Sequence, residues 1–166
     1  MSKPSTHAIR SGAVAALALI ALAAAQDLTD PLKIKSIAEV ESRTVQAGRE
    51  IVQLIPADRV APGDRVIYTL EVRNTGATAI ATPSITYAIP EHMRYVADSA
   101  VGPGAEVSYS VDRGRSFGTP ESLNVRGPDG RLRPAVAADY TDIRWQLKNI
   151  LKPNSVAFVR FRALVK

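Results

Sequence analysis

The side chains with which small proteins usually do chemistry are sparse in this chain. It has no cysteine and two histidines, His7 and His92. His7 falls in a leader expected to be removed. That leaves His92, set between Glu91 and Met93 in a turn after Pro90, as the sole base for a Ser-His-Asp arrangement. A zinc site needs three or four nitrogen, sulfur or carboxylate ligands, which one histidine without cysteine does not supply. Asp139 and Asp142 lie close together and suit a glycosidase acid and base in type. However, they flank an expected strand start, where aspartate favours the turn. No Asp-x-Asp-x-Asp run offers a calcium loop. Gly102-Pro103-Gly104 is interrupted by proline and precedes no helix, so it cradles no phosphate. The expectation is a non-enzyme without cofactor or metal.

Two features bear instead on binding. Arg126, Arg131 and Arg133 crowd the polar stretch from Thr119 to Asp139, which turns at Asp129-Gly130. Read functionally, they contact anionic glycan or phospholipid head groups; read plainly, they decorate a solvated loop. Trp145 alternates with Ile143 and Leu147, which assigns it to a core face rather than to a sugar-stacking platform. The charge balance is 21 Lys and Arg against 16 Asp and Glu. Loss of Lys3 and Arg10 with the leader trims the excess to a weak positive balance. With no aromatics interleaved among the cations, nucleic acid is not expected as a partner.

Residues 1–25 read as an address. Lys3, His7 and Arg10 make a basic start, Gly12 to Ala25 is an apolar run, and Ala23-Ala24-Ala25 closes it before Gln26. This is the order of a secretory signal peptide, with cleavage expected between Ala25 and Gln26. The run is shorter than the ~20 residues of a spanning helix, and no later segment approaches that length. The mature protein is therefore expected outside the cytoplasm, in the periplasm or the medium, without a membrane span.

The elements that must position these residues are strands. Val66, Tyr68, Leu70 and Val72 alternate with Ile67, Thr69, Glu71 and Arg73, between the turn signals Pro62-Gly63-Asp64 and Asn74-Thr75-Gly76. The same period of two runs through Ile85–Ile89, Val107–Val111, Ile143–Leu147 and Val159–Val165. Ile34–Val45 and Glu50–Ile55 are expected strands on either side of Ala47-Gly48. Frequent prolines leave no room for a long helix, and Pro134–Tyr140 is read as loop with one helical turn. The pattern gives an all-β fold, an antiparallel sandwich of about seven to nine strands. Residues 26–60 read as an N-terminal extension with one or two strands, and 61–166 as the sandwich core. The inner faces are expected to hold Tyr68, Leu70, Val72, Ile85, Tyr87 and Tyr109, together with Trp145, Leu147, Phe161 and Val165.

With the strands placed, Ala61-Pro62-Gly63-Asp64 through Asn74-Thr75-Gly76-Ala77 resembles the conserved-repeat family of bacterial surface and exported proteins known as domain of unknown function eleven. Ile89-Pro90-Glu91-His92-Met93-Arg94-Tyr95-Val96, then Asp98-Ser99-Ala100, and the Trp strand, Pro turn and final strand of Ile143–Val165 extend the likeness. The chain departs from it at Asp112-Arg113-Gly114, where the family often shows Asp-Gly-Gly, and Leu32–Val60 falls outside the core repeat. The resemblance implies an immunoglobulin-like sandwich and no reaction. The expected role is a structural or protein-interaction module of the cell envelope, with a carbohydrate- or anion-binding module as the alternative. The partner is an unidentified envelope protein, expected to add a strand beside Val156–Lys166 or Ile34–Val45.

Overall fold

The computed structural model describes residues 31–166. The expected cleavage site at Ala25 and Gln26 lies outside the described residues. Ten strands appear in chain order: β1 (Leu32–Gln46), β2 (Arg49–Pro56), β3 (Arg65–Asn74), β4 (Ser84–Ala88), β5 (Met93–Tyr95), β6 (Ala105–Ser110), β7 (Asn124–Arg126), β8 (Leu132–Pro134), β9 (Asp142–Leu147) and β10 (Val156–Val165). A single 3-10 turn, Ala137–Asp139, interrupts them. Five strands form one sheet in the order β2-β1-β3-β10-β5, three form a second in the order β4-β9-β6, and β7-β8 is a small ribbon. Every pairing between these strands is antiparallel. The fold is an all-β sandwich. Among the described residues no helix is long and apolar enough to cross a membrane.

Alternation decides which side chains meet between the sheets. Val66, Leu70 and Val72 of β3 and Val159, Phe161 and Ala163 of β10 face Ile85 of β4 and Ile143, Trp145 and Leu147 of β9 in one buried cluster. Of the residues expected inside, Tyr87 and Val165 are only partly buried, packed against that cluster. Tyr68 stacks on Phe161, its partner across β3 and β10 of one sheet, at 4.8 Å, and Trp145 of the other sheet bridges the layers to Phe161 at 6.1 Å. Asn74 closes β3 from inside. Its buried amide donates to the carbonyls of Thr78 (2.8 Å) and Leu151 (2.9 Å), and its oxygen accepts the N–H of Gly76 (2.9 Å). The asparagine of the Asn-Thr-Gly signal therefore ties its turn to a loop far along the chain as well as ending a strand.

Two expectations need correction. The final strand is no edge: β10 pairs with β3 along Val156–Leu164 and with β5 through Ala163–Val165, and Arg160 bridges Val101. β5 has only three residues, too few for alternation to reveal it, so the strand that covers β10 is invisible to periodicity. The stretch from Thr119 to Asp139 is likewise more than a mobile loop, because it folds into the β7-β8 ribbon and the 3-10 turn.

β1 plays two parts. Leu32–Val40 pair with β3, whereas Glu39–Gln46 pair with β2. Val40 lies opposite Val66, near the start of β3, so beyond that point the β1-β2 hairpin continues without β3 beside it. Ala47 (φ 49°) and Gly48 (φ 76°) form its two-residue turn, both in the left-handed region that suits the twist of a tight hairpin.

Candidate functional site

The titratable residues singled out in the sequence do not assemble into a reacting centre. His92 is exposed, and its backbone carbonyl accepts the N–H of Lys166 at 2.9 Å. Asp139 and Asp142 do border one cleft, together with Ile89, Glu91, Arg113 and Lys166. Within it, Asp139 accepts both terminal nitrogens of Arg133 at 2.7 and 2.8 Å and the N–H of Val136 at 2.8 Å. The Arg133 hydrogen bonds hold its carboxyl below the usual carboxylate range. A general acid needs the opposite shift. Asp142 is buried and accepts the hydroxyl of Thr141 at 2.8 Å. Among the described residues no group of three or more His, Asp or Glu is placed to hold a metal ion.

The turn at Asp112-Arg113-Gly114 is self-contained. The Asp112 carboxylate accepts the Ser116 hydroxyl (2.6 Å), the Ser116 N–H (2.9 Å) and the Ser110 hydroxyl (2.7 Å). These bonds, the Ser116 hydroxyl first, bring its pKa down to about 2. Oxygen atoms committed in this way serve the turn.

The three arginines of the candidate anion site lie on the β7-β8 ribbon, and they are unequal. Arg133 is committed to Asp139, and Arg126 donates to the Gly130 carbonyl at 3.0 Å. The Arg131 side chain, 89% exposed, stands 3.9 Å from Asp129. Register sets Arg126 and Arg133 on opposite faces of the ribbon, and local acceptors take two of the three.

The hairpin offers a different kind of site. The Ala57 N–H donates to the Ala38 carbonyl at 3.0 Å. Hydrogen-bonded and non-bonded pairs alternate along an antiparallel ladder. By that alternation Val40, Ser42, Thr44 and Gln46 bond to Ile55, Gln53, Ile51 and Arg49. Val52 and Leu54 then turn their backbone N–H and C=O groups outward, where among the described residues β2 has no neighbouring strand. Val45, Val52, Leu54 and Ile55 are all exposed, Val45 by 74%. Between Glu50 and Pro56 the edge carries no charge. Native edges are usually blunted by lysine, proline or a bulge, and this one is blunted only at its ends. Sequence reasoning recognised this strand without recognising it as the edge. The uncharged run Ile51-Val52-Gln53-Leu54-Ile55 was the available signal.

No protein-family model, curated protein or solved structure matches this chain.

Proposed function

We propose that this chain is an exported, non-catalytic interaction module of the bacterial cell envelope, of the kind its Ala61–Ala77 block resembles, and that it takes up a strand from a partner protein along the outer edge of β2. The observation that carries the reading is the uncharged edge, uncovered among the described residues, of a hairpin that reaches past the sandwich. Strand addition draws affinity from main-chain hydrogen bonds and specificity from alternate side chains. Outward-facing Val52 and Leu54 supply both. Asp112, Arg133 and Asp139 do not compete with this reading, because their hydrogen bonds are made within the fold.

Hydrogen exchange of the purified chain, with and without envelope extract, tests it. Added protection confined to Arg49–Pro56 is expected. Val52→Pro removes an outward N–H while leaving the β1-β2 bonds in place, since proline is tolerated where the donor faces solvent. This variant should lose the protection and keep the fold. Protection centred instead on Arg126–Arg133 rejects strand addition in favour of the anion-binding loop.

A further inference from the structure

The five-stranded sheet has a second face, turned away from the core. Leu32, Ala38 and Val40 of β1 pack inward, so Lys33 and Lys35 point out. By the same alternation Arg65 and Arg73 of β3, Arg160 and Arg162 of β10, and Arg94 of β5 stand on this outer face. The carboxylates on the same face of this sheet are Glu39, Glu41, Glu50 and Glu71. Seven cations against four carboxylates leave this face with a positive excess. The cluster gathers from four strands far apart in sequence, which is why a scan for basic runs finds the ribbon instead.

These cations are largely unspent. Among the described residues, Lys33, Lys35, Arg65, Arg94 and Arg162 make no ion pair, and Arg73 alone meets a carboxylate, Glu71, at 3.1 Å. Arg160 donates to the Thr69 hydroxyl at 3.1 Å. Register sets their spacing: Glu71 lies between Lys35 on one side and Phe158 on the other, and Thr69 lies across from Arg160. Residues two apart on a strand are roughly 7 Å apart, and neighbouring strands about 5 Å. The charges therefore spread over a broad, open surface rather than lining a groove.

An independent observation lies on the same face. Phe158 and Val101 are exposed by 52% and 54%, and with Gly102 and Pro103 they form an apolar shelf against Arg160 and Thr69. Apolar groups standing proud beside unpaired cations match the boundary between anionic head groups and acyl chains. An anionic polysaccharide would be better served by a groove that lines up donors along a chain.

The geometry points to this outer face as a peripheral docking surface for anionic phospholipid, with Phe158 and Val101 entering the head-group layer and the arginines and lysines meeting phosphate. The surface lies across the sheet from the core, away from the ladder groups at the β2 edge, so the two contacts are independent.

Co-sedimentation of the purified chain with vesicles tests it, comparing phosphatidylcholine alone with phosphatidylcholine mixed with phosphatidylglycerol. Binding is expected to need phosphatidylglycerol and to weaken with salt. Near an anionic surface each cation contributes about fivefold in binding, so the Lys33→Glu/Lys35→Glu variant should bind at least roughly tenfold more weakly. Arg94→Glu/Arg162→Glu should weaken it similarly, and an unchanged Trp145 emission will show that either variant is folded. Arg126→Glu/Arg131→Glu and Val52→Pro should bind as the parent does. Phe158→Trp should add a second, lipid-sensitive emission. Equal binding to both vesicle types overturns the inference, as does loss of binding only in the ribbon variant. Retention on an immobilised polyuronate without vesicle binding overturns it in favour of a glycan.

Discussion

Trp145 is fully enclosed between the sheets, yet its indole N–H has no acceptor among the described residues. Its size therefore contributes to stability while its polar atom detracts. Trp145→Ala is predicted to cost about 3–5 kcal/mol through the cavity it leaves. Trp145→Phe should cost much less, because it also removes a buried donor whose burial costs about 1–3 kcal/mol. Chemical denaturation of both variants measures the gap, and iodide should quench the folded parent poorly. A second residue-scale prediction concerns Asp112, whose pKa is about 2 when folded against an ordinary 3.8. A carboxylate depressed on folding contributes stability above its unfolded value and loses it as pH falls through the folded one. The parent should therefore lose stability between about pH 4 and pH 2 that Asp112→Asn, already without the charge, does not lose. At this scale the sequence was legible where alternation spoke, as for Trp145. It was silent where a side chain serves the backbone, as Asn74 and Asp112 do.

The hairpin is the element whose stability is most separable from the rest. Most of β2 is exposed, and among the described residues its only strand neighbour is β1. Ala47 sits at φ 49°, a conformation that costs an alanine roughly 1 kcal/mol and an asparagine less. Ala47→Asn is expected to slow amide exchange across Val45–Ile51 severalfold while leaving the global unfolding midpoint nearly unchanged. A midpoint that rises with the local protection would show that the hairpin opens only with the whole domain. The two hairpin strands and their turn were readable from Ile34–Val45, Ala47-Gly48 and Glu50–Ile55. Their place in the sheet was not, because lateral order depends on which distant strand offers a matching face. β5, a single Met-Arg-Tyr step, displaced β10 from the edge that its position in the chain had suggested.

For the molecule as a whole, the aromatic core sets an alkaline limit. Burial, then the hydrogen bond shared with Tyr95, raises the Tyr109 hydroxyl above its ordinary 10.0; burial does the same for Tyr68 and Tyr140. Raised folded values leave stability intact below the unfolded value and remove it as pH climbs beyond that toward the folded one. Phenolate absorbance from these three tyrosines should therefore appear together with unfolding in a base titration. Their ionisation near 10 in a protein that keeps its fold would contradict the packing described for them.

β1 and β10 flank β3 from opposite sides, and each runs antiparallel to it. They therefore run parallel to each other, with Leu32 and Val156 at one end of the sheet and Val165 at the other. Tension drawn through the backbone entering β1 and leaving β10 would slide both strands lengthwise against β3. The nine residue pairs on each side would resist together rather than open one after another. Forced unfolding is governed by the barrier rather than by the equilibrium, so this arrangement gives the domain the means to carry a pull whatever its equilibrium stability.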